Sequence, residues 1–284
     1  MESTFQPRQV HTVEISPHVR VGAGQPLLLI AGPCQIESLD HCLHIADFVQ
    51  RITKKLPLQF VFKSSFDKAN RTSISSTRGI GMEEGLKVLE QVRKKLGVPV
   101  LTDVHDVEQA RAAGHAVDVL QIPAFLCRQT DLLVAAGHTG RTINVKKGQF
   151  LPPQDMEHVA KKIASTGNQK ILLCERGATF GYRDLIVDMR SFPLMRSTGY
   201  PVVFDATHSV QSMGGAGGAS GGDRRFIAPL VRGAVAVGVD GLFIECHDNP
   251  DVAPSDGASM LPLSSLEEVL TTACRIREAT FGSK

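Results

Sequence analysis

No stretch of this chain is apolar enough over enough residues to cross a membrane. Its opening residues, MESTFQPRQVHTVEI, lack the apolar core of a secretion signal. Neither charge dominates: the formal net charge is +2, which argues against a nucleic-acid surface and leaves any anion site to local clustering. No Pro/Ser-rich linker or charge block divides the 284 residues, and no fixed-period repeat suggests a solenoid. The six cysteines, at 34, 42, 127, 174, 246 and 274, form no CxxC pair and no framework spacing. Together with the missing signal, that pattern points to free thiols in a reducing, cytoplasmic compartment. The glycine-rich SMGGAGGASGGD, residues 212–223, has neither the Lys-Ser/Thr of a P-loop nor the GxGxxG of a dinucleotide fold. A nucleotide reading fails there, and a lid or an ordinary surface loop remains.

What the chain does have is a rhythm. Short apolar runs each end in a residue able to do chemistry: LLLIAGPC at Cys34, FVFKSS with Lys63, VPVLTD at Asp103, VDVLQIP with Gln121. TINVKK carries Lys146, KILLCER stops at Arg176, PVVFDATH reaches His208, and GLFIE reaches Glu245. Runs rich in Val, Ile, Leu and Phe, separated by helical stretches, read as buried parallel strands with crossover helices. Eight of them fit an α/β fold, the (β/α)8 TIM barrel, in which strand C-termini form the mouth of the active site. The expectation is one barrel domain over residues 1–284, with residues 1–25 as an N-terminal extension holding a β-hairpin (QVHTVEISPHVRVG).

Helical stripes support this. Met156, Val159, Ala160, Ile163 and Ala164 recur at i, i+3, i+4, i+7 and i+8. Leu266, Val269, Leu270, Ala273 and Ile276 repeat the pattern, and Leu86, Leu89, Val92 and Leu96 mark a helix closed by Gly97.

Two clusters carry the chemistry. In FKSSFDKANRTS, Lys63, Lys68 and Arg71 alternate with hydroxyl and amide side chains; such a loop either cradles phosphate or is simply solvated. Lys146 and Arg176, ending two other strands, favour the anion. Cys34, His208, Glu245 and Asp256 offer a thiol, an imidazole and two carboxylates, a set suited to a divalent metal ion such as Zn²⁺, Fe²⁺, Mn²⁺ or Co²⁺. From spacing alone, Cys34 could equally be a packing residue.

The motifs GPCQIES, FKSSFDKANRTS, TDVH, QIPAFLCRQTDL, INVKKGQF, ERGATFGY, DATHSVQ, ASGGDRR, FIECH and SDGASMLPL span nearly the whole chain. In content and order they resemble the 3-deoxy-manno-octulosonate-8-phosphate synthases. The resemblance implies a homotetrameric (β/α)8 transferase that condenses phosphoenolpyruvate with arabinose 5-phosphate toward the Kdo sugar of lipopolysaccharide, with no nucleic-acid or membrane partner. It implies a phosphoenolpyruvate clamp of Lys68, Lys146 and Arg176, with Gln121 and the turn Pro123, Ala124 and Phe125 beside it. Asn70 and Arg71 would take the pentose phosphate, Arg71 reaching a neighbouring subunit's site; Thr72 replaces a common Ser but keeps the hydroxyl. Lys63 and Asp103 would line the same pocket, and His208 and Asp256 would also relay protons. Cys34, where other members have Asn, implies the metal-dependent subgroup with Cys34, His208, Glu245 and Asp256 as ligands. A related synthase using erythrose 4-phosphate has Lys-Pro-Arg-Thr where this chain has Lys68-Ala69-Asn70-Arg71, which favours the longer sugar.

Overall fold

The computed structural model describes residues 9–71, 77–181, 184–216 and 219–282. The chain begins with an antiparallel hairpin, β1 (Val13–Ser16) and β2 (Val19–Val21), turning at Pro17 and His18 as expected. Six parallel strands follow: β3 (Leu27–Gly32), β4 (Leu58–Lys63), β5 (Val100–Asp103), β6 (Val119–Ile122), β7 (Thr142–Lys146) and β8 (Ile171–Glu175). A small antiparallel pair, β9 (Ala178–Gly181) and β10 (Asp184–Ile186), precedes β11 (Val202–Asp205). A second pair, β12 (Gln211–Ala216) and β13 (Ala219–Gly222), precedes β14 (Gly241–His247), and the two-residue β15 (Leu261–Pro262) lies alongside. β14 pairs in parallel with both β11 and β3, which closes the eight-stranded barrel.

Helices α1 (Leu39–Thr53), α2 (Met82–Leu96), α3 (Val107–Ala116), α4 (Thr130–His138), α5 (Met156–Ala164), α6 (Ser191–Arg196), α7 (Ile227–Val237) and α8 (Leu266–Phe281) surround it. Their starts and stops follow local chemistry. Ser38 Oγ accepts the His41 N–H at 3.1 Å to cap α1, and Asp106 caps α3 through Gln109 N at 2.7 Å. α2 ends at Gly97 in the left-handed conformation, φ 66°, as its sequence predicts.

The strands alternate strictly. Leu27, Leu29 and Ala31 of β3 face the helices and share one core with Val145, Phe204 and Ile244. Leu28 and Ile30 face inward and join Val61, Leu101, Val119, Leu172, Val203 and Phe243 in a second core inside the barrel. Val13, Val19 and Val21 of the hairpin belong to this inner core, so the hairpin seals the N-terminal end of the barrel. What remains open is the other end, where the strands finish. The glycine-rich stretch, read from sequence as a loop or lid, is the β12–β13 hairpin, with Gln211 opposite Gly222 at its root.

Candidate active site

The inward parity that places Val61, Leu101, Val119 and Val203 in the inner core also points Lys63, Asp103, Gln121 and Asp205 into the barrel two residues further on. The same count takes β7 to Lys146 and β14 to Glu245, and carries β8 past Cys174 to Arg176. The result is a cavity of about 1230 Å³ at the C-terminal mouth. It is lined by Lys63, Lys68, Asn70, Arg71, Asp103, Gln121, Pro123, Ala124, Phe125, Lys146, Arg176, His208, Glu245 and Asp256. Each of these was singled out from sequence. Thr72 lies outside the described residues, and Cys34 is buried beneath the cavity at 1% exposure.

The cations differ in what already holds them. Lys63, also 1% exposed, forms a buried ion pair with Glu245 and donates to the Cys34 carbonyl at 2.8 Å, so it braces the wall. Lys146 Nζ is 2.6 Å from Asp205 Oδ2 and lies over the Phe243 ring, 3.9 Å from its centroid. Lys68 donates to Ser65 Oγ at 2.9 Å, and Ser65 in turn donates to Asp103. Burial works against the Asp103 carboxylate, but Lys68, His105 and Lys63 outweigh it and hold Asp103 well below the usual range.

Arg176 is the exception. It is 4% exposed, its Nη2 donates to Gln211 Oε1 at 2.8 Å, and its buried Nη1 has no hydrogen-bond partner. Among the described residues no carboxylate lies within ion-pair distance of it. Burial lowers its pKa from the ordinary arginine value, as expected of a cation awaiting an anion. Glu175 fixes the local backbone: its Oε1 accepts from Arg176 N and Gly177 N at 3.0 and 2.7 Å and is itself 3.4 Å from Lys147 Nζ.

Arg71 is held by its own chain. It donates to Thr77 O, Ser255 Oγ, Gln35 Oε1 and Pro254 O at 2.8–3.1 Å. Asn70 lies exposed on the rim beside it.

Beneath the cations, Cys34, Glu245 and Asp256 bring donor atoms within 4.8 Å of one another, a grouping that could hold a metal ion. Cys34 Sγ is 3.1 Å from Asp256 Oδ2, and Glu245 Oε2 is buried without a hydrogen-bond partner. His208 Nε2 is 3.5 Å from that same Oε2, but the ring stands outside the three-residue grouping. Burial, and then Glu245, push the Cys34 thiol far above its ordinary range, so it keeps its proton unless a cation is bound. Asp256 adopts φ 53°, rare for a residue with a side chain, and is gripped by Gln211 Nε2 at 3.0 Å. A thiol, two carboxylates, a nearby imidazole and an orphaned buried oxygen fit a divalent transition metal.

Sequence reasoning passed over Asp205, Gln211 and Glu175, and read Ser65 as one of the phosphate-loop hydroxyls rather than as the link between Lys68 and Asp103. Asp205 was within reach, since it follows Val203 with inward parity. Gln211 to Arg176 and Asp256, and Ser65 to Asp103, are contacts between distant segments that only the closed barrel creates, whereas Glu175 caps the two N–H groups that follow it.

Fold and site together define a class: a parallel (β/α)8 barrel enzyme with buried cations and a thiol–carboxylate cluster at its mouth. The DAHP synthetase I family model matches residues 8–280, and the chain belongs to that family. Among curated proteins it is similar to the 2-dehydro-3-deoxyphosphooctonate aldolase of Granulibacter bethesdensis, 61% identical over 89% of this chain and 90% of the relative. It is also similar to the proteins of that name from a Cyanothece species, 58% identical over 94% and 98% of the two chains, and from Desulfatibacillum aliphaticivorans, 54% identical over 95% and 98%.

Proposed function

We propose that this protein is a transferase that joins phosphoenolpyruvate to D-arabinose 5-phosphate with water, yielding 3-deoxy-D-manno-octulosonate 8-phosphate and phosphate. The observation that carries this reading is Arg176 Nη1, a buried cationic donor at the barrel mouth with no hydrogen-bond partner among the described residues. Relatives named for the phosphooctonate product at 54–61% identity supply the substrate class.

Two phosphorylated substrates repel each other, so the cavity has to neutralise both while aligning them. Lys68, Lys146 and Arg176 hold phosphoenolpyruvate, against Gln121 and the turn Pro123, Ala124 and Phe125. Asn70, Arg71 and Thr72 hold the pentose phosphate at the rim. Holding C3 of the enol against the aldehyde carbon can contribute roughly 7–11 kcal/mol. As that C–C bond forms, the aldehyde oxygen takes a proton and water adds its oxygen to C2, releasing a proton. The resulting hemiketal phosphate collapses to the ketone by breaking the C2–O bond to phosphate. His208 and Asp256 carry these protons, and Asp103 and Lys63 keep the wall polar and rigid. Cys34, His208, Glu245 and Asp256 would hold a divalent ion, which when bound supplies Lewis acidity at the aldehyde or at water.

The chain acts as one barrel domain, assembled as a homotetramer. Phe125, Phe150 and Phe180, exposed at 53%, 58% and 75% in the segments that follow β6, β7 and β8, support association at the rim, where Arg71 also lies. The family resemblance implies no nucleic-acid or membrane partner; among the described residues no helix is long and apolar enough to cross a bilayer. Six free, buried cysteines support a cytoplasmic location.

The test is phosphate release from phosphoenolpyruvate with arabinose 5-phosphate, before and after chelation and metal restoration. Loss and recovery are expected. Turnover with erythrose 4-phosphate alone would overturn the substrate assignment, and chelator-insensitive turnover by protein shown to be metal-free would overturn the metal assignment.

A further inference from the structure

A second cluster of ligating side chains lies outside the cavity lining, where the start of α1 meets the end of β14. Glu37 precedes the cap of α1, His41 lies in its first turn, and His247 ends β14. Their donor atoms come within 4.8 Å of one another. His247 is 4% exposed, and its Nε2 is 2.8 Å from Glu37 Oε1. His41 Nδ1 is 3.7 Å from the same oxygen, and the two rings are 4.7 Å apart between centroids.

Hydrogen bonding around the rings is incomplete in one place. His41 Nε2 is 3.0 Å from Asp248 Oδ1 and can donate only there, which leaves the proton off Nδ1 in the neutral ring. Nδ1 is buried, has no hydrogen-bond partner among the described residues, and lies 3.7 Å from Glu37 Oε1, so in that tautomer its lone pair meets the carboxylate. A lone pair facing a carboxylate calls for a cation between them. Asp248 Oδ1 lies on the other side of both rings, 3.0 Å from His41 Nε2 and 3.1 Å from His247 Nδ1. A carboxylate accepting from the far nitrogen of each imidazole is the usual support of a metal-bound histidine pair.

We propose that Glu37, His41 and His247 form a second divalent-metal site, separate from the cluster at Cys34. It would bind through Glu37 Oε1, His41 Nδ1 and His247 Nε2, with Asp248 orienting both rings and solvent completing the coordination. In the ion-free state the Asn249 N–H donates to His247 Nδ1 at 2.9 Å, so that ring carries its proton on Nε2. Ion entry moves this proton to Nδ1, where Asp248 accepts it, and displaces the Asn249 contact. Two imidazoles and one carboxylate favour Zn²⁺, Co²⁺ or Ni²⁺ over Mg²⁺ or Ca²⁺. Occupancy would fasten the start of α1 to the end of β14, three residues from Cys34 and two from Glu245.

The full-length protein is stripped with chelator, titrated with Zn²⁺ or Co²⁺, and its bound metal counted by elemental analysis after desalting. Native protein is expected to hold two equivalents per chain, and H41A one. The Co²⁺ form of H41A should keep the thiolate-to-metal absorption that reports the Cys34 site, which shows that the variant is folded. E37Q, on an exposed edge, should also lose one equivalent. An unchanged count in H41A and E37Q would overturn the proposal and leave His41 as an ion-pair partner of Asp248. The equivalent lost between native protein and H41A tests this site, and the thiolate-to-metal absorption tests the Cys34 site of the proposed function, so failure of either is read separately.

Discussion

Lys146 and His208 share one buried carboxylate: Asp205 Oδ2 is 2.6 Å from Lys146 Nζ and 2.8 Å from His208 Nδ1. Asp205 Oδ1 also accepts the His208 backbone N–H at 2.9 Å. Burial opposes the charge on Asp205, but His208 and Lys146 hold its carboxyl far below the usual range. One side chain thus sets both a cation over the cavity and the face that His208 turns to Glu245. Asp205→Asn should therefore impair two properties together. Weaker metal retention and a higher KM for phosphoenolpyruvate are expected, each by tenfold or more, since disrupting a buried charge network costs about 3–5 kcal/mol. A change in only one would separate the two roles.

Arg176→Ala removes the donor that has no partner in the ligand-free chain. Charge-assisted hydrogen bonds contribute about 1.5–3 kcal/mol, so KM for phosphoenolpyruvate should rise roughly 10- to 150-fold, with little loss of thermal stability. Near-normal affinity would remove Arg176 from the clamp.

Lys63→Met leaves Glu245 buried without its cation. The metal-free protein should lose about 3–5 kcal/mol in denaturant unfolding. Added metal should restore part of that loss by compensating the same carboxylate. An unchanged midpoint would show that Lys63 does not balance Glu245.

Gly32→Ala tests how β3 delivers Cys34. A Cβ at Gly32 would lie 2.0 Å from the Lys63 carbonyl oxygen, a backbone atom that cannot step aside without moving β4. Loss of metal binding together with reduced stability is expected. Wild-type metal content in a folded variant would refute the requirement for close approach.

His105 predicts a pH dependence. Its Nε2 is 3.2 Å from Asp103 Oδ2 and its Nδ1 is 3.0 Å from Gln109 Oε1, so both nitrogens meet acceptors. Burial disfavours the charged ring, but these partners outweigh it and raise its pKa above the ordinary 6.5. A group with a raised folded pKa contributes stability that is complete below about 6.5 and fades as pH rises through the folded value. His105→Gln should flatten the stability profile across that window. An NMR titration placing His105 at or below 6.5 would contradict it.

Much of this was legible in the residues. The barrel followed from eight buried apolar runs with chemistry at their ends, and α2, α5 and α8 from their stripes and the Gly97 stop. The lining of the cavity was legible for a simple reason: a strand has period two, so a polar residue two positions after an inward apolar one faces the interior as well. The pairing of β12 with β13 was not, because glycine carries no side-chain pattern to mark a strand. Nor was the division of labour among the cations. Lys63 and Arg176 look alike in sequence, yet one is bound to Glu245 and the other keeps a free donor.

The sequence alone determined the local terms: helix stripes and caps, strand parity, and the residue types that arrive at the mouth. Only the closed barrel decided which of them meet. Closing β14 onto β3 and β11 brought Cys34, Asp205, His208 and Glu245 together from distant parts of the chain. Burial in that closed interior then decided which charges are compensated, because an unpaired charge is tolerated in water and costly inside a packed barrel.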